Sequence, residues 1–201
     1  MSNDARQKEF KMRTIEKQIY TYAELTQKAQ EKALANYNES EDYVQDTDSQ
    51  VEILAMLGFI EAKVYCSGFY SQGDGSCFEG VWYPENMDID KIKTEYPQWT
   101  ELHNITDRFN DIKTEHTTAY RAKIIQCGRY YHENAMTLVE FIDDENEDID
   151  YDSSFMDTCK SLARLFNEQF QEDYEYRTSE IAFQEHCANN EREFYDDGSS
   201  Y

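Results

Sequence analysis

Positive charge is what this 201-residue chain has least of. Nineteen Lys and Arg stand against 42 Asp and Glu, a formal net charge of −23. That excludes binding of DNA, RNA or an anionic lipid surface through the general surface, because neutralising phosphate takes Lys and Arg. Proline is nearly missing, with two residues, and glycine is scarce, with seven. Flexible linkers and low-complexity stretches are thereby excluded, and compact elements with short connections are expected. No run approaches the ~18 apolar residues of a membrane span. The start, MSNDARQKEFK, is polar and has no apolar signal core, so nothing in it directs export. The five cysteines (Cys66, Cys77, Cys127, Cys159, Cys187) are odd in number and form no C-x-x-C pair. They read as reduced thiols in a cytosol.

Aromatic residues, by contrast, are abundant. Sixteen Tyr, eleven Phe and two Trp exclude a disordered acidic tail. A folded body that carries −23 tolerates self-repulsion. The usual reasons are halophilic solvation, cation binding or imitation of a nucleic acid, and the natural partners are basic proteins and cations.

The length fits a single domain over residues 1–201, with residues 1–12 as a flexible arm. Thr14–Tyr22 alternates apolar and polar residues and reads as a strand with Ile15, Ile19 and Tyr20 inward. A helix follows with Thr26 as N-cap and Ala29, Ala33, Leu34 and Tyr37 at helical spacing. Asp48–Leu57 reads as a second, short helix. Ile60–Tyr83 has arms rich in Val, Tyr, Phe and Trp around the turn chemistry SQGDGS, the pattern of a β-hairpin. Residues 86–96 and 99–115 read as helices, and 119–129 with 135–143 as a second hairpin. Ser154–Tyr176 is a strongly amphipathic helix, with Phe155, Cys159, Leu162, Leu165, Phe166 and Phe170 on one face. A last helix over Thr178–Asn190, with Ile181, Ala182, Phe183 and Cys187 inward, precedes a short strand and turn. The expected fold class is α+β: an antiparallel sheet of hairpins covered by helices, with a C-terminal acidic helical part.

Two segments, YTYAELTQKAQEKALANY (Tyr20–Tyr37) and YCSGFYSQGDGSCFEG (Tyr65–Gly80), carry a resemblance. The chain resembles a family of small bacteriophage and prophage proteins. These join a strand and an E-L-x-x-x-A-x-x-K-A helix to an S-G-F-x-S-Q-G-D-G-x-x-F hairpin, and some members are labelled antitoxin-like. The ending E-F-x-x-D-G (Glu193–Gly198) fits the same pattern. The resemblance implies a phage origin and a bacterial host cytosol, and it brings no catalytic mechanism.

The chemical motifs are weak individually. Gly68 and Gly73 have the separation of a phosphate-binding loop, but Asp74 stands where that loop needs Lys. A hairpin turn whose glycines supply positive φ explains the segment better. Cys66 and Cys77, with His132 or His116, have nothing in their spacing that marks a nucleophile and its base, and read as core thiols. The four His are scattered, so no zinc site is expected. The run Glu140–Asp152 alternates like a calcium loop from Asp144, yet Ile149 and Phe155 stand where the required Gly and Glu belong.

Charge is concentrated toward the end. Residues 140–201 hold nineteen Asp and Glu against Lys160, Arg164, Arg177 and Arg192, a net of −15. Glu168, Glu172 and Glu175 fall at i, i+4, i+7 and form one outward stripe, at separations comparable to phosphates along a nucleic-acid strand. The expected partner-binding residues are Asp143, Asp144, Glu145, Glu147, Asp148, Asp150, Asp152, Glu168, Glu172, Asp173 and Glu175, with Tyr and Phe as rim anchors. The expected function is a phage-encoded, non-enzymatic inhibitor. It would mimic a nucleic acid and block a bacterial nucleic-acid-binding or defence complex, such as a CRISPR effector or restriction nuclease. It would need no cofactor or metal and would touch neither nucleic acid nor membrane directly. A homodimer is compatible with it. The alternative is an antitoxin-like or regulatory protein that neutralises a basic partner.

Overall fold

A computed structural model describes residues 16–41, 43–115, 120–143 and 153–201. The sequence there produces, in chain order, β1 (Tyr20–Thr21), α1 (Gln27–Ser40), α2 (Asp48–Met56), β2 (Phe59–Ser67), β3 (Gly75–Trp82), α3 (Ile89–Glu95), α4 (Thr100–Glu115), β4 (Tyr120–Gln126), β5 (Met136–Asp143), α5 (Ser153–Arg177), α6 (Glu180–Asn189) and β6 (Glu193–Phe194). The fold is α+β with antiparallel sheets, as the patterning requires. The chain divides into two compact units. One is Tyr43–Glu175; the other joins Met1–Asp42 to Tyr176–Tyr201.

In the larger unit both hairpins form where the turn chemistry places them. They join through β3 and β4 into a four-stranded sheet ordered β2-β3-β4-β5. Period-2 alternation then fixes the faces. Phe78 and Trp82 from β3, with Ala122 and Ile124 from β4, turn to the core, and all four are buried. Lys63, Glu79, Val81 and Lys123 line a groove of about 560 Å³ that belongs to the opposite face. There the Lys63 ammonium sits 2.9 Å from Glu79 and holds that carboxyl below its usual range.

The core itself is largely aromatic. Phe59 meets Phe78 edge-on with ring centres 5.3 Å apart, and Trp82 lies 4.8 Å from Phe155. Each such ring contributes roughly 2–3 kcal/mol by leaving water. The Trp82 indole N–H donates to the Leu57 carbonyl at 2.8 Å, so its polar atom is not stranded. The Ser76 hydroxyl donates to the Ala163 carbonyl at 2.6 Å and ties β3 to α5. Phe155, Cys159, Leu162, Leu165, Phe166 and Phe170 are all buried, the face that the periodicity of α5 selects.

The smaller unit packs α1 and α6 with the two-stranded sheet β1-β6. Thr26 caps α1 through the Ala29 amide at 3.4 Å, as expected. The strand expected over Thr14–Tyr22 is a correction: within the described residues only Tyr20 and Thr21 pair, and Ile19 is exposed. β6 offers just two partner residues, so alternation further upstream has nothing to pair with. Ile181 is likewise exposed, while Phe183 and Cys187 carry the buried side of α6. The Asp-Gly of the ending is structural. Asp197 ion-pairs with Lys32 at 2.8 Å and accepts from the Ser199 amide and hydroxyl, which holds its carboxyl well below the usual range. Gly198 has φ +82°, and a Cβ there would overlap the Ala29 carbonyl oxygen.

Tyr22 is buried between Phe183 and Phe194, with its hydroxyl 3.5 Å from Glu180. Burial first, then the Glu180 charge, pushes its pKa to about 12. An unfolded tyrosine ionises near 10. Between those values the unfolded chain holds fewer protons than the folded one, so this stabilisation is complete below pH ~10 and is lost as pH rises toward 12. Melting temperatures across that window should fall, and Tyr22→Phe should show a shallower decline than the parent.

Candidate partner-binding surface

Of the residues the sequence assigns to partner binding, the structure describes five. Asp143 closes β5. Glu168, Glu172, Asp173 and Glu175 lie on α5. Asp144, Glu145, Glu147, Asp148, Asp150 and Asp152 lie outside the described residues, as does the run's resemblance to a calcium loop.

α5 runs for 25 residues, roughly 37 Å at ~1.5 Å per residue. At 100° per residue, Glu168, Glu172 and Glu175 point away from the Phe155–Phe170 face, and all three are exposed. Their Cα atoms rise about 6 and 10.5 Å along the axis from the first. Among the described residues, Glu168 and Glu172 take part in no ion pair and no side-chain hydrogen bond. Glu175 accepts from Gln171 at 2.8 Å. The stripe starts at Glu168 because basic residues occupy the preceding turns. Lys160 is one. Arg164 is the other; its guanidinium lies 3.2 Å from Glu133.

Asp173 falls off this stripe. It sits on the inward side of the helix, half-buried, and accepts from the Tyr43 hydroxyl at 3.1 Å. Its role is local. Several carboxylates of the smaller unit are local too: Glu180 serves Tyr22 and Gln184, Glu185 accepts from Tyr176, and Asp197 holds Lys32. Glu168 and Glu172 therefore differ from these carboxylates in having no bonded partner among the described residues.

Its position on the helix is also unfavourable. Glu175 is in the last turn of α5, and Glu172 and Asp173 are in the turn before it. The negative end of the helix dipole disfavours carboxylates there by about 0.3–1 kcal/mol each in the terminal turn. Arg177 is the basic residue of that turn. No acidic residue occupies the first turn, where carboxylates would stabilise the helix.

The Gly-rich turn between β2 and β3 is held by its aspartate. The Asp74 carboxylate accepts from the amides of Ser71 at 2.7 Å and Tyr70 at 3.2 Å, while the Asp74 amide donates to the Ser71 carbonyl at 3.0 Å. Gly68 and Gly73 both have positive φ. A Cβ on the first would meet that carboxylate at 2.6 Å, and one on the second would meet the Tyr130 ring at 2.7 Å. The phosphate-loop reading thus meets a carboxylate already engaged by its own backbone.

Cys66 and Cys77 lack the lowered pKa of an activated thiol. Burial pushes Cys66 to about 11 and Cys77 to about 12, the reverse of an activated thiolate. The His132 Nδ1 accepts from the Asn134 amide at 3.1 Å, and His116 lies outside the described residues. Among the described residues, no three His, Cys, Asp or Glu side chains converge as metal ligands would. No described helix is long and apolar enough to cross a membrane.

Sequence reading gives no individual role to the rings around this turn. Phe69 meets Tyr174 at a tilt with ring centres 5.4 Å apart, and Tyr174 meets Tyr43 edge-on at 5.1 Å, yet Tyr70 and Tyr130 remain exposed. An aromatic residue at the centre of a polar turn was the available signal.

Comparison with family models matches residues 41–180 to one described as a domain of unknown function, DUF8835. The matched stretch contains the whole larger unit, with the stripe and the Gly-rich turn. Searches of the curated proteins and of the solved structures return no match.

If Asp74 is a structural clamp, Asp74→Ala should lower stability by about 1–3 kcal/mol, the cost of leaving amides without a charged acceptor. Asp74→Asn should lose less. Urea denaturation of both variants checks this; a fully stable Asp74→Ala protein would show that the carboxylate is held there for something else.

Proposed function

The chain belongs to the DUF8835 family, and within that family's matched stretch we propose a binding surface rather than a catalytic one. The protein acts as an acidic inhibitor of a bacterial nucleic-acid-binding or defence complex. Its carboxylates occupy a basic channel that otherwise holds phosphates. The phage setting and the host cytosol follow from the family resemblance in the hairpin string. The observation that carries the reading is the stripe Glu168, Glu172, Glu175: exposed along one helix, with Glu168 and Glu172 facing each other one turn apart and Glu175 in the last turn against the helix dipole. Charges that lower local stability and serve few local bonds are best explained by a partner. Nucleases and CRISPR effectors are the natural class, since each lines its channel with Lys and Arg. Opposed charged surfaces also accelerate encounter, most strongly at low salt.

An antitoxin-like role would use the same surface against a basic toxin. The two readings separate on competition. A channel-blocking mimic is displaced by nucleic acid; a toxin-neutralising protein is displaced only where the toxin itself binds nucleic acid.

The test is capture of bacterial proteins on the immobilised chain at low salt, followed by elution with duplex DNA or RNA. Captured nucleic-acid-binding proteins should release in excess nucleic acid and in high salt, as screening with a Debye length of ~8–10 Å requires. Reversing Glu168, Glu172 and Glu175 to Lys should weaken binding by at least about tenfold at low salt, on the order of 1.4 kcal/mol. Reversing the exposed pair Glu31 and Glu39 on α1 should change it little. Retention of the captured protein in saturating DNA and RNA would contradict mimicry.

A further inference from the structure

In a chain with 42 Asp and Glu, a lysine is expected to rest on a carboxylate. Lys17 does not. Its ammonium lies over the Tyr195 ring, 4.2 Å from the ring centre. Among the described residues it takes part in no ion pair, although Glu16 and Asp196 line the same cleft. Those two carboxylates are exposed and likewise take part in no ion pair among the described residues. The cleft measures about 420 Å³ and belongs to the smaller unit. The segment leading into β1 supplies Glu16, Lys17 and Tyr20 to it, and the turn after β6 supplies Tyr195, Asp196 and Asp197.

The ring that receives the ammonium is fixed from behind. The Tyr195 amide donates to the Ser199 carbonyl at 2.9 Å, and the Gly198 amide donates to the Tyr195 carbonyl at 3.0 Å, which closes the turn on both sides. Tyr201 meets Tyr195 edge-on with ring centres 5.8 Å apart. Across the cleft, the Tyr20 hydroxyl donates to Gln18 at 2.7 Å. Asp197 is committed to Lys32 and Ser199, so its charge is balanced. What is left over inside the cleft is one tyrosine face, two unbonded carboxylates and a single ammonium.

The ammonium already seated there sets the chemistry of the occupant. Aromatic faces attract ammonium groups, methylated ones above all, and nearby carboxylates add to that attraction. An exposed contact of this kind is weak enough for a second cation to replace it. We propose that the cleft is a binding site for an alkylammonium group, from a lysine side chain or a free methylated amine, with Lys17 as its resident competitor. The site does not rest on the reading of α5, because no residue of that stripe lines it.

The test is proton NMR on the full chain with tetramethylammonium and with a capped lysine amide as probes. tert-Butanol, neutral and of similar shape, is the control. Tetramethylammonium should show nuclear Overhauser contacts to the Tyr195 ring, and tert-butanol should show none. Lys17→Met removes the competitor and should tighten binding by about two- to fivefold, the size of one exposed cation–π contact. Tyr195→Phe should keep binding, and Tyr195→Leu should lose it. The tighter of the two probes identifies the source of the ammonium. Because Lys17 is exposed, Lys17→Met leaves the packing intact and decides the matter even where Tyr195→Leu melts early. Neither probe contacting Tyr195 in Lys17→Met overturns the site. Equal affinity in parent and Lys17→Met overturns it too, since Lys17 would then occupy nothing. Equal contacts from tert-butanol overturn it as well, because the cleft would then be selecting shape and not charge.

Discussion

Mutual repulsion among carboxylates is the constraint under which everything else in this molecule is arranged. A net charge of −23 spread over a 23.8 kDa body opposes compaction. Among the described residues the buried set contains no Asp, Glu, Lys or Arg. The interior is instead filled by Phe59, Phe78, Trp82, Phe109, Phe155 and Phe166, whose large apolar area offsets the charge outside. Few cations are available, and several are committed to single partners, as Lys32 is to Asp197, Lys63 to Glu79 and Arg164 to Glu133. Such exposed pairs are worth little individually. With 42 Asp and Glu against 19 Lys and Arg, more than half of the carboxylates have no cation of their own.

Carboxylates with local work and carboxylates without it can be told apart. Asp74 holds a turn, Asp173 holds Tyr43, and Asp197 holds both Lys32 and Ser199. Glu168 and Glu172 hold nothing among the described residues. Like charges at i, i+4 lower the stability of a helix by about 0.2–0.5 kcal/mol, and neither side chain contributes packing or pairing to offset that. The functional reading rests on that asymmetry more than on the total charge, since generic acidic solvation would produce the same composition.

Elements set by local rules were legible in the sequence. α5 follows from its 3.6-residue apolar period, the two hairpins follow from alternation and turn chemistry, and α1 follows from its Thr26 cap. What depended on distant partners was not. The strand at Tyr20 is two residues long because β6, more than 170 positions away, offers only Glu193 and Phe194. Hydrophobicity places Ile181 inward, yet it is exposed, because α6 has too weak a sided pattern to choose a face. Composition alone groups Asp173 with the partner-binding carboxylates, although helical geometry sends it to the inward side of α5. The smaller unit joins both ends of the chain, so no linker marks it. The stripe itself was readable because spacing on one helix is a local property. The contact of Tyr43 and Phe69 with Tyr174 was not, because the three come from separate segments.

The central claim is that the α5 stripe is kept despite its effect on stability. Neutralising Glu168 and Glu172 to Gln and following the melting temperature from low to high salt tests that most directly, because it needs no knowledge of the partner. The account predicts a variant that melts higher than the parent at low salt and gains less from added salt, since self-repulsion has been relieved. A variant that melts lower at every salt concentration would contradict it, because those carboxylates would then be part of what holds the fold together.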